Sequence, residues 1–263
     1  MSKRFTYFNS FASVTYLLDL YGGASVAYSL RNLLVSTTNV IRVRRDSDNS
    51  EQDFTSADIT DGTLITWTGS SSGFVTIWYD QSGNDNHAKQ STASRQAKIV
   101  DAGTLILDNG NPAIEWNVND AESLDFTTGL TDNRAVFQVL NAVTIPGGNN
   151  QFLLGDSSSY NYHSSVHGKL LSSNYAASYV KNGNNYINLT LTNFTNTQRP
   201  VTQSLITMLH TSSSGKASSL SEDRVYSNRS WIGKMQEVII YPTDETSNRL
   251  GIAENINNHY SIY

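Results

Sequence analysis

Residues 74–90 read Phe74-Val75-Thr76-Ile77-Trp78-Tyr79-Asp80-Gln81-Ser82-Gly83-Asn84-Asp85-Asn86-His87-Ala88-Lys89-Gln90. The first six are β-branched or aromatic apart from none that breaks a strand, and they end abruptly in polar turn formers. Asp80 is placed to accept backbone donors of the turn. Gly83 permits a positive φ, and Asn84 and Asn86 tolerate left-handed geometry and bond local backbone. His87 returns the chain to the sheet. Trp78, Tyr79, Asp80, Gln81, Asn84 and His87 are therefore expected to form a stiff, self-bonded turn, which needs these residue types even without a ligand.

The same period-two pattern extends in both directions. Upstream, Val40-Ile41-Arg42-Val43-Arg44 alternates as a strand, and Leu64-Ile65-Thr66-Trp67 reads as another. Downstream, strands are expected at 98–100, 104–107, 113–116, 135–140, 151–154, 186–191, 203–209 and 233–241, each bounded by Gly, Asn, Asp or Ser. Helical spacing is confined to the two ends. Val14, Leu17, Leu18 and Tyr21 form a stripe that Ala27, Leu30 and Leu34 continue after Gly22-Gly23, and Leu250, Ile252, Ala253, Ile256 and His259 lie on a final helix capped by Thr246 or Ser247. Many short strands with turn chemistry between them indicate an all-β, two-sheet sandwich with short helices near both termini. A chain of 263 residues is consistent with one such unit, since sandwiches of about 200–250 residues fold as single domains. Residues 1–26 are read as an N-terminal arm and attachment segment, and 27–263 as the sandwich.

Composition excludes several functions. Charged residues make up 16% of the chain and the net charge is −5, so no basic field exists to neutralise phosphates, and nucleic acid is not an expected partner. Arg42 and Arg44 point to one face of their strand and Arg45 to the other, where ion pairs with Asp46 and Asp48 account for them. No apolar run is long enough to span a membrane. The start, Met1-Ser2-Lys3-Arg4-Phe5, lacks the continuous apolar stretch of a signal peptide, so synthesis in a cytoplasm is expected. Without cysteine there is no thiolate nucleophile and no disulfide. The histidines are dispersed, and His163 and His167 sit in a Ser/Asn/Tyr-rich stretch that does not read as a helix able to hold zinc.

The turn at 74–90 resembles the strand and turn of the fungal B-type α-L-arabinofuranosidases, whose catalytic domain is a concanavalin A-like jelly roll. Ala27-Tyr28-Ser29-Leu30-Arg31 and the loop Arg45-Asp46-Ser47-Asp48-Asn49 resemble that family's opening. Gly233 to Tyr241, Glu254-Asn255-Ile256 and Tyr260 resemble its closing strand and helix. The stretch from Leu17 through the turn, with Arg95 to Val100 and Asn111-Pro112-Ala113-Ile114, is also similar to bacteriophage structural and tail-fibre proteins that carry the domain as a LamG-like surface module. That similarity implies a virion-surface location after synthesis in the host, with other virion proteins as partners and a homo-oligomeric assembly.

The enzyme resemblance implies a retaining mechanism, with two carboxylates about 5–5.5 Å apart and a vicinal disulfide against the sugar. The disulfide cannot form here. The nucleophile region, Ser159 to Val166, and the acid/base region, Val225 to Trp231, contain no carboxylate. Asp156, Glu222 and Asp223 are the nearest acids and would serve a divergent glycoside hydrolase. Asp46, Asp48 and Asn49 form a loop whose oxygens suit calcium, although a solvated acidic turn is the better explanation of them; no other cofactor is implied. What the residues favour is recognition. Tyrosine occurs 14 times, and Tyr160, Tyr162, Tyr175 and Tyr179 with Asn161 and Asn182 suit stacking on sugar rings and bonding of hydroxyls. The expected function is therefore a non-enzymatic virion module recognising a glycan on a host cell surface. The alternatives are a purely structural particle component and the divergent hydrolase.

Overall fold

The sheet is built from short strands, several of which are buried along both rows of side chains. A computed structural model describes residues 15–117, 122–142, 151–165, 167–222 and 229–263. In chain order they form α1 (Leu17–Leu20), β1 (Val26–Ser29), β2 (Asn39–Arg45), β3 (Glu51–Thr55), α2 (Ser56–Thr60), α3 (Thr63–Thr68), β4 (Gly73–Trp78), β5 (Ala88–Lys89), β6 (Lys98–Asp101), β7 (Thr104–Leu105), β8 (Leu107–Asp108), β9 (Asn111–Pro112) and β10 (Ile114–Trp116). There follow β11 (Leu124–Asn133), β12 (Ala135–Leu140), β13 (Leu154–Gly155), α4 (Ser178–Lys181), β14 (Asn184–Ile187), β15 (Thr190–Leu191), β16 (Ser204–Leu209), β17 (Gly215–Leu220), β18 (Gly233–Tyr241) and α5 (Arg249–Tyr260). Much of the N-terminal arm, residues 1–14, lies outside the described residues, as does Asp223.

Hydrogen bonding joins almost all strands into one curled antiparallel sheet, in the order β13-β17-β11-β5-β4-β6-β10-β18-β12-β16-β14-β15, with β8-β9 a separate ribbon. The expected sandwich is present, but its two layers are halves of a continuous ladder linked at Glu115 and Lys98. The front layer is β13-β17-β11-β5-β4, extended by β2 and β3. The back layer is β10-β18-β12-β16-β14, with β1 also on β18. Between them Ile41, Val43, Phe54, Trp78 and Phe126 meet Val136, Ile206, Met208, Val238 and Ile240 in one apolar core.

The back layer is covered on its other face too. Phe137, Val139, Ile239 and Tyr241 pack against Leu17, Leu18, Ile252, Ala253, Ile256 and Tyr260, so α1 and α5 lie over it. Among the described residues the outer face of the front layer carries no such helical cover.

Four local expectations are corrected. The stripe from Ala27 to Leu34 is not helical: Val26–Ser29 is buried at every position and pairs with β18, and a short, fully apolar run has no period to separate strand from helix. Leu64-Ile65-Thr66-Trp67 lies in α3 rather than a strand, burying Leu64 and Thr68 four residues apart. The final helix begins at Arg249 after Asn248, with no side-chain cap from Thr246 or Ser247. β11 and β17 were not expected, because β11 is mostly exposed and polar and β17 is built of small residues.

Two buried polar groups carry this packing. Arg31 forms a two-pronged pair with Glu237 (Nε–Oε2 2.8 Å, Nη2–Oε1 3.0 Å) and donates to Asn255 Oδ1 at 3.0 Å, tying the segment after β1 to β18 and α5. Removing one member of a buried pair strands the other charge. Arg31→Ala is expected to lower the unfolding free energy by about 3–5 kcal/mol, read by urea denaturation.

His210 is 2% exposed, with Nδ1 2.9 Å from the Asn133 carbonyl, and burial pushes its pKa down to about 4. It is neutral when folded and binds a proton at about pH 6.5 when unfolded. Its contribution is thus present above about pH 6.5 and is lost as pH falls towards 4, a loss of up to about 3 kcal/mol. The difference in stability between wild type and His210→Phe, followed by thermal unfolding from pH 7 to 4, should narrow by that order. A difference independent of pH refutes the assignment.

Candidate functional site

The turn after β4 is bonded as its composition suggests, and more widely. Asp80 Oδ1 accepts from Ala27 N at 2.8 Å and Ser82 N at 2.9 Å; Oδ2 accepts from Ser82 Oγ at 2.7 Å and Asn86 N at 3.1 Å. Gln81 Nε2 donates to the Ser29 and Arg31 carbonyls, both at 3.0 Å, and its Oε1 accepts from Leu33 N at 2.7 Å and Thr37 Oγ1 at 3.0 Å. Trp78 is fully buried in the core. Gly83 has φ 91°, as expected. The left-handed non-glycine residue is Asp85 (φ 55°), not Asn84 or Asn86. Those two side chains reach other segments: Asn84 Nδ2 donates to the Ala24 carbonyl at 3.0 Å, and Asn86 exchanges bonds with Thr128 at 2.7 and 2.8 Å. His87 packs edge-on against Tyr79 with centroids 4.9 Å apart.

The open face of the front layer follows from strand register. Gly155, Ser219, Asp125, Lys89, Ile77, Arg42 and Asp53 are successive cross-strand partners, so their side chains share one face. Arg42 forms a two-pronged pair with Asp53 (2.7 and 2.9 Å), and Tyr79 Oη donates to Asp53 at 2.7 Å. At the other end the chain doubles back after Ser221 (φ 72°). The Glu222 carbonyl lies where a Cβ on Gly155 would stand, so only glycine fits there. The Glu222 side chain pairs with Arg95. Burial, with Asp125 adding to it, raises the Glu222 pKa, and burial raises that of Asp125. Glu222, Asp125 and Arg95 thus form an acidic pair about one guanidinium. Asp156, 7% exposed, bonds to Ser158.

The tyrosines separate into surface and core. Tyr160 and Tyr175 are 45% and 59% exposed, and both lean on buried His163, with ring centroids 6.2 and 5.0 Å away. Phe152 backs the imidazole at 4.9 Å. Backbone bonds between His163 and Ser172 (2.7 Å) and between Ala177 and Asn161 (3.0 Å) fasten the two loops together. Tyr179 is half-buried and donates to Asn161 and to the Ser214 carbonyl, so Asn161 positions Tyr179 rather than facing solvent. Tyr162 is 1% exposed; it belongs to the core and offers no surface to a ligand. Asn182 is exposed at the end of α4, and no bond among the described residues joins it to the tyrosine pair. The roles of His163 and His210, which packs on Tyr162 and Tyr179, had no signal in the sequence.

The acidic loop after β2 is engaged by arginine. Asp48 pairs with Arg45 at 2.6 Å and accepts from Ser50 Oγ at 2.8 Å, which holds its pKa far below the usual carboxylate range, the Arg45 bond contributing most. Asp46 lies 3.3 Å from Arg44. Among the described residues no three His, Asp or Glu side chains group as metal ligands. Asp46 and Asp48 each face a guanidinium, of Arg44 and Arg45 respectively. No described helix is long and apolar enough to cross a membrane.

The sequence matches no protein-family model and no curated protein. Among solved structures, the fold is similar to a mutant GH54 α-L-arabinofuranosidase soaked with 4-nitrophenyl α-L-arabinofuranoside, at 15% identity and TM-score 0.50. It is also similar to an arabinofuranosidase complexed with arabinofuranosyl-α-1,2-xylobiose, at 17% identity and TM-score 0.51. Both matches cover 89% of this chain and 62% of the other, so the chain spans less than two thirds of the structures it resembles. At this identity the likeness establishes the fold: a mostly β, jelly-roll-like sandwich of the kind found in arabinofuranosidase structures.

Proposed function

We propose that the chain binds carbohydrate without cleaving it, as a surface module of a larger particle. The observation that carries this is the pair Tyr160 and Tyr175, exposed, held apart by a buried imidazole and fastened by backbone bonds between their loops. Two rigid aromatic faces suit the apolar faces of sugar rings, and little side-chain entropy remains to be lost on binding. The virion setting and its protein partners rest on the similarity to phage fibre sequences alone.

One observation favours hydrolysis as a second reading. Glu222 is buried, and that burial, with Asp125 adding to it, holds its carboxyl above the usual range, as a general acid requires. Against it, Glu222 is ion-paired with Arg95, and a retaining mechanism needs a second carboxylate free to attack the sugar.

Glycan-array binding of the full chain, with calcium and with chelator, tests the proposal. Saturable binding to a defined glycan class is expected in both conditions, weakened at least about tenfold (1.4 kcal/mol) in Tyr160→Ala and Tyr175→Ala. No binding by folded protein moves the assignment to a purely structural component. Release of 4-nitrophenol from 4-nitrophenyl α-L-arabinofuranoside that disappears in Glu222→Gln establishes the hydrolase instead.

A further inference from the structure

The turn that organises the fold also walls a pocket. A cavity of about 340 Å³ lies between it and the segment before β2, lined by Leu34, Ser36, Thr38, Asn39, Tyr79, Asp85 and His87 among others. That volume is at the lower end of the roughly 300–1,000 Å³ of small-ligand sites, so it suits one sugar ring rather than a chain. Its walls are fixed: Gln81 holds Leu33 and Thr37, and Tyr79 N donates to the Val40 carbonyl at 2.9 Å.

The chemistry of the lining is that of a polyol site. Asp80 N donates to His87 Nδ1 at 3.2 Å, so the neutral ring carries its proton on Nε2. Burial, with Lys89 nearby, lowers the His87 pKa and favours that neutral form. Nε2 has no hydrogen-bond partner among the described residues, nor do the side chains of Ser36, Thr38, Asn39 and Asp85. A donor imidazole, two hydroxyls, an amide and a carboxylate are therefore free at one small cavity, beside the apolar surfaces of Leu34 and Tyr79. This mixture of a few polar groups and an apolar wall is what sugar hydroxyls and ring carbons require. The only formal charges in the lining are those of Asp80 and Asp85, which oppose an anionic ligand.

We propose that this pocket is a second carbohydrate subsite, which takes a single neutral monosaccharide unit and rejects uronic and sialic acids. It rests on the carbohydrate reading above but not on the tyrosine pair. Saturation-transfer NMR and calorimetry on the full chain, with L-arabinose, D-galactose and L-fucose against D-glucuronate, would test it. At least one neutral sugar is expected to bind and D-glucuronate not. Thr38→Trp, which fills the cavity, should weaken that binding at least about tenfold, while circular dichroism shows the fold intact. Asp85→Asn, which tolerates the left-handed backbone, should admit D-glucuronate. The part of monosaccharide binding that Thr38→Trp abolishes should persist in Tyr160→Ala, which removes only the tyrosine platform. Binding that survives Thr38→Trp but is lost in Tyr160→Ala overturns the pocket and leaves the tyrosine platform standing. The absence of monosaccharide binding in folded wild type overturns the pocket whatever the glycan array shows.

Discussion

A carboxylate that is almost out of water holds the two layers in register. Asp80, 9% exposed, leaves β4 of the front layer and accepts a bond from the Ala27 amide in β1, which is zipped to β18 of the back layer. The same side chain takes up two amides of its own turn. A buried backbone donor left without a partner costs about 1–3 kcal/mol, so three amides depend on one residue. Gln81 repeats the arrangement with the segment that follows β1. Tyr28 closes it by donating to the Asn86 carbonyl at 2.6 Å. The turn is thus the rivet of the sandwich, and its polar composition is explained by folding before any ligand is considered.

The asymmetry of the sandwich decides where function can lie. The back layer is buried on both faces, first by the core and then by α1 and α5. The front layer has one free face, and its charged residues are mostly paired across strands or between loops. Ion pairing of this kind leaves little field for steering a charged partner. The candidate surfaces are tyrosine faces on loops, and hydroxyls, an amide, an imidazole and the Asp85 carboxylate near the turn. This is the physical ground for a neutral, polyhydroxylated ligand.

Likeness of fold to arabinofuranosidase structures does not carry a reaction with it, because chemistry lives in sites placed on a fold. Here Glu222 occupies a constrained place, its backbone pressed against Gly155 and its side chain against Arg95. An acid held in this way stabilises the end of the front layer. The same burial that raises its pKa also limits approach of a substrate.

The sequence alone determined the strand-rich character of the chain, because short runs rich in β-branched and aromatic residues, bounded by turn formers, favour strands, as at 40–44, 135–140 and 203–209. It also determined the turn, since Asp80 and Gly83 have few other uses at the end of an apolar strand, and the absence of a thiol. Tertiary structure alone decided that Val26–Ser29 is a strand, because only its partner β18 supplies the ladder. It decided that Tyr162 is core and Tyr160 surface, although they are two residues apart, because loop packing rather than any period sets which ring faces water. It also brought Glu222 to Arg95 across 127 positions and turned the loop acids Asp46 and Asp48 towards arginines. Contacts of that range arise from closure of the sheet, and no local pattern of residues encodes them.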